Sequence, residues 1–150
     1  MHSDVNAHLC NSGFRKEQIC LEVGPGITWL LVGKITRTQG WKLHVGSRSD
    51  ALHNLIQLAA PILLAHSVPF KVVSSVRDAE ILNQGTAGHS QIGKTLTIYP
   101  ASDAQAVDIA TQLTSVFYRF PGPVVNPGLR LSPNAPVFAR YGSFIATYHR

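Results

Sequence analysis

Carboxylates are scarce in this chain. Eight Asp and Glu residues stand against thirteen Lys and Arg, giving a formal charge of +5, and charged residues make up only 14% of the whole. With 45% hydrophobic residues, this is not the composition of a disordered segment. Cysteine is nearly missing. Cys10 and Cys20 cannot make a disulfide framework and their spacing fits no zinc pattern, so they read as reduced thiols. No run approaches the roughly 18 apolar residues of a membrane span. The first residues, with Asp4 among polar neighbours, lack the basic start and apolar run of a signal peptide. The expectation is a soluble, cytoplasmic protein with no membrane partner. Basic clusters and aromatic–basic alternation are missing too, so the positive balance points to an anionic partner but not to nucleic acid.

A chain of 150 residues suits one domain with a real core. Residues 1–26 carry no clear pattern and end in the breaker Gly24-Pro25-Gly26, so they are left as an unassigned arm, with the domain running over 27–150. Strands are expected at Ile27–Val32, Trp41–Val45, Pro69–Val73 and Lys94–Tyr99. Ser49 can cap a helix beginning at Asp50, with Leu52, Leu55, Ile56 and Ala59 on one stripe; Pro61 bends it or starts a second helix to about His66. A short helix is expected over Val76–Leu82, and a capping box at Ser102-x-x-Gln105 opens another to about Phe117. Residues 120–136 hold five of the nine prolines and read as an irregular crossing, and Val137–Tyr148 holds one or two last strands. Strands and helices mix without a βαβ rhythm. The fold class is α+β, with a mixed or antiparallel sheet flanked by helices.

The informative residues are cations set inside apolar strands. In Trp41-Lys42-Leu43-His44-Val45, period two puts Lys42 and His44 on one face. Pro69-Phe70-Lys71-Val72-Val73 embeds a lysine with no carboxylate at hand. One such lysine would be read as snorkelling from a sheet edge. Two, with a histidine, suggest a shared anionic ligand. Arg140-Tyr141 adds a residue suited to bidentate phosphate contact and a neighbouring hydroxyl; Arg130 is a weaker candidate. The stretch from Gly88 to Thr95 matches G-x-x-x-x-G-K-[ST] letter for letter, and His89 lies in it. A phosphate-binding loop of that type needs a strand before it and a helix after it. Here a loop precedes and a β-branched strand follows, so nucleotide binding is disfavoured, while Lys94 can still hold a phosphate. No His/Asp/Glu pattern suggests a metal, and no nucleophile elbow is present.

A cation-rich pocket without nucleophile or metal ligands is better suited to β-elimination than to hydrolysis. A base removes the Cα proton of a phosphorylated Ser or Thr, and an acid protonates the departing phosphate. A buried lysine near other cations can be the base, and a histidine whose imidazolium the phosphate stabilises can be the acid.

Four motifs then occur in order: Gly40-Trp41-Lys42-Leu43-His44-Val45, Val68-Pro69-Phe70-Lys71-Val72-Val73, Gly88 through Lys94 to Ile98-Tyr99-Pro100, and Arg140-Tyr141-Gly142-Ser143-Phe144. Over about residues 28–144 the chain resembles the N-terminal lyase domain of class III lanthipeptide synthetases, which is related to phosphothreonine lyases that pathogens inject into host cells. The resemblance implies a phosphothreonine-lyase-like fold. It also implies elimination of phosphate from a phosphorylated precursor peptide, leaving dehydroalanine or dehydrobutyrine, without metal or cofactor. By matching position, Lys71 is the implied base, His44 the acid, and Lys42 the group that steadies substrate or enolate. Lys94 and Arg140 are implied phosphate ligands, with Tyr141 and Arg130 as weaker carry-overs. The synthetases continue into kinase and cyclase-like domains; for a free-standing domain these would be separate partners. A non-catalytic phosphopeptide-binding module stays open as the alternative.

Overall fold

Apolar residues alternate along most strands, and this decides which side of the sheet the helices cover. The structure, a computed structural model, describes residues 4–24, 26–125 and 128–144. Helix α1 (Asp4–Asn11) leads to β1 (Ile19–Val23), β2 (Thr28–Val32) and β3 (Gln39–Val45). Then come α2 (Leu52–His66), β4 (Phe70–Val73), α3 (Val76–Asn83), β5 (Leu96–Ile98), α4 (Asp103–Val116), β6 (Leu129–Arg130) and β7 (Val137–Ser143). The strands form one seven-stranded sheet in the order β1-β2-β4-β5-β3-β7-β6. Every pairing is antiparallel.

Leu43 and Val45 of β3, Phe70 and Val72 of β4, and Leu96 and Ile98 of β5 are all buried. They form one core with the α2 stripe Leu52, Leu55, Ile56, Ala59 and Leu63 and with Ile109 and Leu113 of α4. Burying each of the large aliphatic side chains contributes about 1.5–3 kcal/mol. Pro61 does not break α2, which runs unbroken from Leu52 to His66. Ser49 does not cap it either: it opens a 3-10 turn, Ser49–Ala51, that feeds the helix with no side-chain cap. The Ser102 hydroxyl does accept from the Gln105 N–H at 3.0 Å. The Gln105 side-chain Oε1 accepts from the Ala101 N–H at 2.7 Å, one residue earlier than a standard capping box would have it.

The segment left unassigned in the sequence takes part in this core. Val5 and Leu9 of α1 and Phe14 after it are buried, and β1 pairs with β2 over five residues. The proline-rich crossing passes over the end of β3, where Arg48 N–H donates to the Pro121 carbonyl at 3.3 Å. The two backbones meet closely: a Cβ on Gly46 would lie 2.5 Å from the Pro123 carbonyl oxygen, and one on Gly122 would lie 2.3 Å from that of Gly46. Only glycine fits at either place. The expected extension of strand structure to Tyr148 falls on residues outside the described ones. Among the described residues no helix is long and apolar enough to cross a membrane.

Candidate active site

The face of the sheet turned away from α2 and α4 carries the cations. Register follows from the hydrophobic pattern, because a slip of one residue would drive Leu43, Val45, Phe70 and Val72 out of the core. With that register fixed, Lys71 lies opposite Thr97 and His44 lies opposite Thr97 from the other side. Leu31 of β2 continues the row beyond Lys71. In the next row Lys42 lies directly opposite Arg140. Like charges directly opposite each other on a sheet are unfavourable. Lys94 enters from the turn before β5. These groups line one cavity of about 600 Å³, together with Thr97, Tyr99, Gln91 and Glu22. Tyr99 and Phe144 stack edge to face at 5.3 Å on its wall.

Among the lining side chains Glu22 is the one carboxylate facing Lys42, Lys71, Lys94 and Arg140. Their protonation follows from that imbalance. Burial, then Arg140, Lys42 and Lys71, pull the Lys94 ammonium down from 10.5 to about 8. Lys42 is lowered by burial, then by Arg140 and Lys71. Lys71 is lowered by burial, and Glu22 acts against the shift. Its ammonium lies 4.7 Å from the centroid of the Trp29 ring, a contact that also favours the charged form. Tyr99 is pushed well above its ordinary value by burial and Glu22, so its phenol stays protonated.

His44 is 2% exposed, as is Thr97. Its Nδ1 lies 3.0 Å from the Thr97 hydroxyl, and its buried Nε2 has no partner among the described residues. Burial, followed by Lys94, Lys42, Lys71 and Arg140, lowers the imidazole from 6.5 to about 3. The cavity thus favours the neutral imidazole over the imidazolium.

Five of the residues singled out in the sequence meet in this cavity: Lys42, His44, Lys71, Lys94 and Arg140. Two do not. Tyr141 pairs with Trp41, and period two turns both rings to the helix-covered face, where they stack at 5.5 Å and Tyr141 is 50% exposed. The hydroxyl expected to support Arg140 is thus on the wrong side of the sheet. Arg130 sits on β6, beyond β7, with its guanidinium 5.4 Å from the Phe138 ring centroid and its Nε donating to the Ser132 carbonyl. It does not line the cavity. The Gly88–Thr95 stretch follows α3, holds one 3-10 turn at His89–Gln91 and runs into β5, so no α-helix follows it to meet a nucleotide phosphate with its N-terminus. The side chain of His89 lies outside the described residues.

Thr97, Tyr99 and Glu22 were not anticipated. For the first two the signal is present: in Leu96-Thr97-Ile98-Tyr99 the apolar pair goes to the core, so Thr97 and Tyr99 must face the cavity. Glu22 lies in the segment without a pattern. Among the described residues, no three His, Cys, Asp or Glu side chains are grouped to hold a metal ion.

The fold recurs in solved enzymes. The phosphothreonine lyase OspF from Shigella flexneri superposes with a TM-score of 0.61 at 13% identity, over 91% of this chain and 75% of that one. The phosphothreonine lyase SpvC from Salmonella gives 0.56 at 13% identity, over 91% and 74%. The VirA (SpvC) effector of Chromobacterium violaceum gives 0.56 at 14%, over 83% and 66%. A probable SapB synthase of Streptomyces coelicolor is 30% identical over 106 residues, which are 71% of this chain and 11% of that protein. The chain thus spans about a tenth of the length of that relative. The family model for the RamC N-terminal domain matches residues 21–150, from within β1 onward, and the chain belongs to that family.

Proposed function

We propose that the cavity takes the phosphorylated side chain of a Ser or Thr in a peptide and that the protein eliminates the phosphate. One observation carries this reading: Lys42, Lys71, Lys94 and Arg140 converge around His44, with Glu22 as the one carboxylate among the described residues of the cavity wall. Four cations held together in a half-buried site repel one another and lose hydration, a cost that a doubly charged phosphate offsets on binding. The likeness to phosphothreonine lyases in fold supports the same reading.

In the proposed reaction the Lys71 amine takes the Cα proton. The electron pair left on Cα forms the Cα=Cβ bond, and the Cβ–O bond breaks. The departing phosphate oxygen takes its proton from His44. The products are a dehydroalanine or dehydrobutyrine residue and inorganic phosphate. Lys94 and Arg140 hold the phosphate, and Lys42 stabilises negative charge on the substrate carbonyl as the Cα proton leaves. Lys71 then returns its proton to water and His44 regains one. Burial is what brings the lysine toward a usable base, while the bound dianion must reverse the depression of His44 before it can act as an acid.

The peptide must arrive phosphorylated, so a kinase acts before this step. The alkene it leaves suits a cyclase that adds a thiol across it. Both fit a place in lanthipeptide assembly, in keeping with the probable SapB synthase relative. To test the reading, the protein is incubated with phosphoserine and phosphothreonine peptides and a small thiol. Elimination yields peptides that have lost phosphoric acid and then gained the thiol. Tight binding with intact phosphopeptide after long incubation would instead assign a non-catalytic binding module.

A further inference from the structure

His44 poses a chemical problem that the four cations alone do not solve. An acid must carry a proton, yet this imidazole stands among Lys42 on its own strand, Arg140 on β7, Lys71 on β4 and Lys94 before β5, with Glu22 and Tyr99 also on the wall. Every nearby cation opposes its protonation. Among the described residues its single hydrogen-bond partner is the hydroxyl of Thr97, at 3.0 Å from Nδ1. A carboxylate there would favour the imidazolium even without substrate and would partly neutralise the phosphate site. An apolar side chain would leave a buried ring nitrogen unpaired, at about 1–3 kcal/mol. A hydroxyl has one donor and two acceptor positions and turns to suit its neighbour. It can donate to Nδ1 of the neutral ring and accept from Nδ1–H of the imidazolium.

We propose that Thr97 is the positioning residue for His44 in both protonation states, so that the imidazole stays neutral in the empty cavity and takes up its proton only with the substrate phosphate. This rests on the lyase reading of the site. The placement of Thr97 favours the role. It occupies the central strand between Lys71 and His44 and is 2% exposed. Its β-branch restricts rotation about χ1, so the oxygen stays beside the ring. With the hydroxyl donating to Nδ1, the ring proton of the neutral form sits on Nε2, the nitrogen that has no partner among the described residues. Phosphate arriving there brings two negative charges. The ring then gains a proton from solvent at Nδ1, the hydroxyl turns to accept it, and Nε2–H remains directed at the phosphate. During elimination that Nε2 proton passes to the leaving oxygen. The ring is left neutral with its remaining proton on Nδ1, and exchange with solvent restores the starting tautomer.

The test follows the His44 ring by heavy-nitrogen NMR at about pH 6, just below the ordinary histidine midpoint, with inorganic phosphate as the probe. The free wild-type protein should show a neutral ring with its proton on Nε2, and saturating phosphate should convert it to imidazolium. In Thr97→Val the free ring should lose that single tautomer, and phosphate should no longer produce full conversion; Thr97→Ser should restore both. On phosphopeptide, Thr97→Val should lower kcat about tenfold or more with little change in KM, and Thr97→Ser should recover most of it. An imidazolium in the free protein, a ring that stays neutral with phosphate, or wild-type ring signals in Thr97→Val would each overturn the proposal. If wild-type protein turns over no phosphopeptide, the lyase reading fails, and the phosphate titration still decides whether Thr97 governs His44.

Discussion

Lys71 and His44 flank Thr97 in a single cross-strand row, one on each side of β5. Two strand spacings separate their backbones, roughly 10 Å. In the proposed reaction the Cα and Cβ of the substrate residue lie between them, with base and acid at its two ends. Replacing either end should therefore stop chemistry more than binding. Lys71→Ala and His44→Ala should each reduce the elimination rate about 100- to 10,000-fold. Phosphopeptide affinity, measured calorimetrically, should stay within a few fold because Lys42, Lys94 and Arg140 remain.

Glu22 acts on Lys71, the proposed base, from the edge strand. Its charge raises Lys71 against the lowering effect of burial. A lysine must be neutral to accept a proton, so activity rises as pH passes its pKa. Glu22→Gln removes the opposing charge and should move the rising limb of the kcat profile to lower pH. It should also lower KM, since one source of repulsion against phosphate is gone. A rising limb left in place would mean that Lys71 is not the group that sets it.

Charge crowding should be visible in stability. Lys94 is lowered from 10.5 to about 8, so between those values the unfolded chain holds a proton that the folded one lacks. Stability therefore increases with pH across that window, and the charged lysine is a burden below it. Lys94→Met should raise the thermal midpoint at pH 7, equivalent to about 1–2 kcal/mol after allowance for solvent screening. The gain should fade above the window. His44 also favours the folded state more as pH rises, but in a lower range: its contribution is lost as pH falls from 6.5 to about 3.

Period two separates neighbours that look alike in the sequence. Arg140 faces Lys42 across the sheet, while Tyr141 turns to Trp41 on the other side. Arg140→Ala should weaken phosphate binding about 10- to 100-fold, the loss of a charge-assisted contact. Tyr141→Phe and Arg130→Ala should leave it nearly unchanged. Titration of the three variants with inorganic phosphate separates these outcomes.

The strand cations were legible because alternation is local. Trp41 to Val45 and Phe70 to Val73 each state which side chains share a face, and the core residues between them fix the register. What alternation could not state was which strands are neighbours. β3 and β4 are separated by β5, a strand much later in the chain, so Thr97 had no visible link to His44. Tyr141 is next to Arg140 in sequence, but alternation puts its ring on the opposite face with Trp41. The first 23 residues show no period: α1 docks through Val5, Leu9 and the stacking of His8 on His53, and β1 pairs with β2 and leaves Leu21 and Val23 exposed. Short elements with so little burial leave little pattern to read. The order of motifs supplied what periodicity lacked: that these cations belong to one site.

Cleavage of the Cβ–O bond is the central claim, and the fate of the oxygen tests it directly. Phosphopeptide is turned over in water enriched in heavy oxygen, and both products are examined by mass spectrometry. Elimination leaves the released phosphate without label and the peptide as an alkene. Label in the phosphate, with a restored Ser or Thr hydroxyl, would mean attack of water on phosphorus and would contradict the assignment of Lys71 and His44 as base and acid of a lyase.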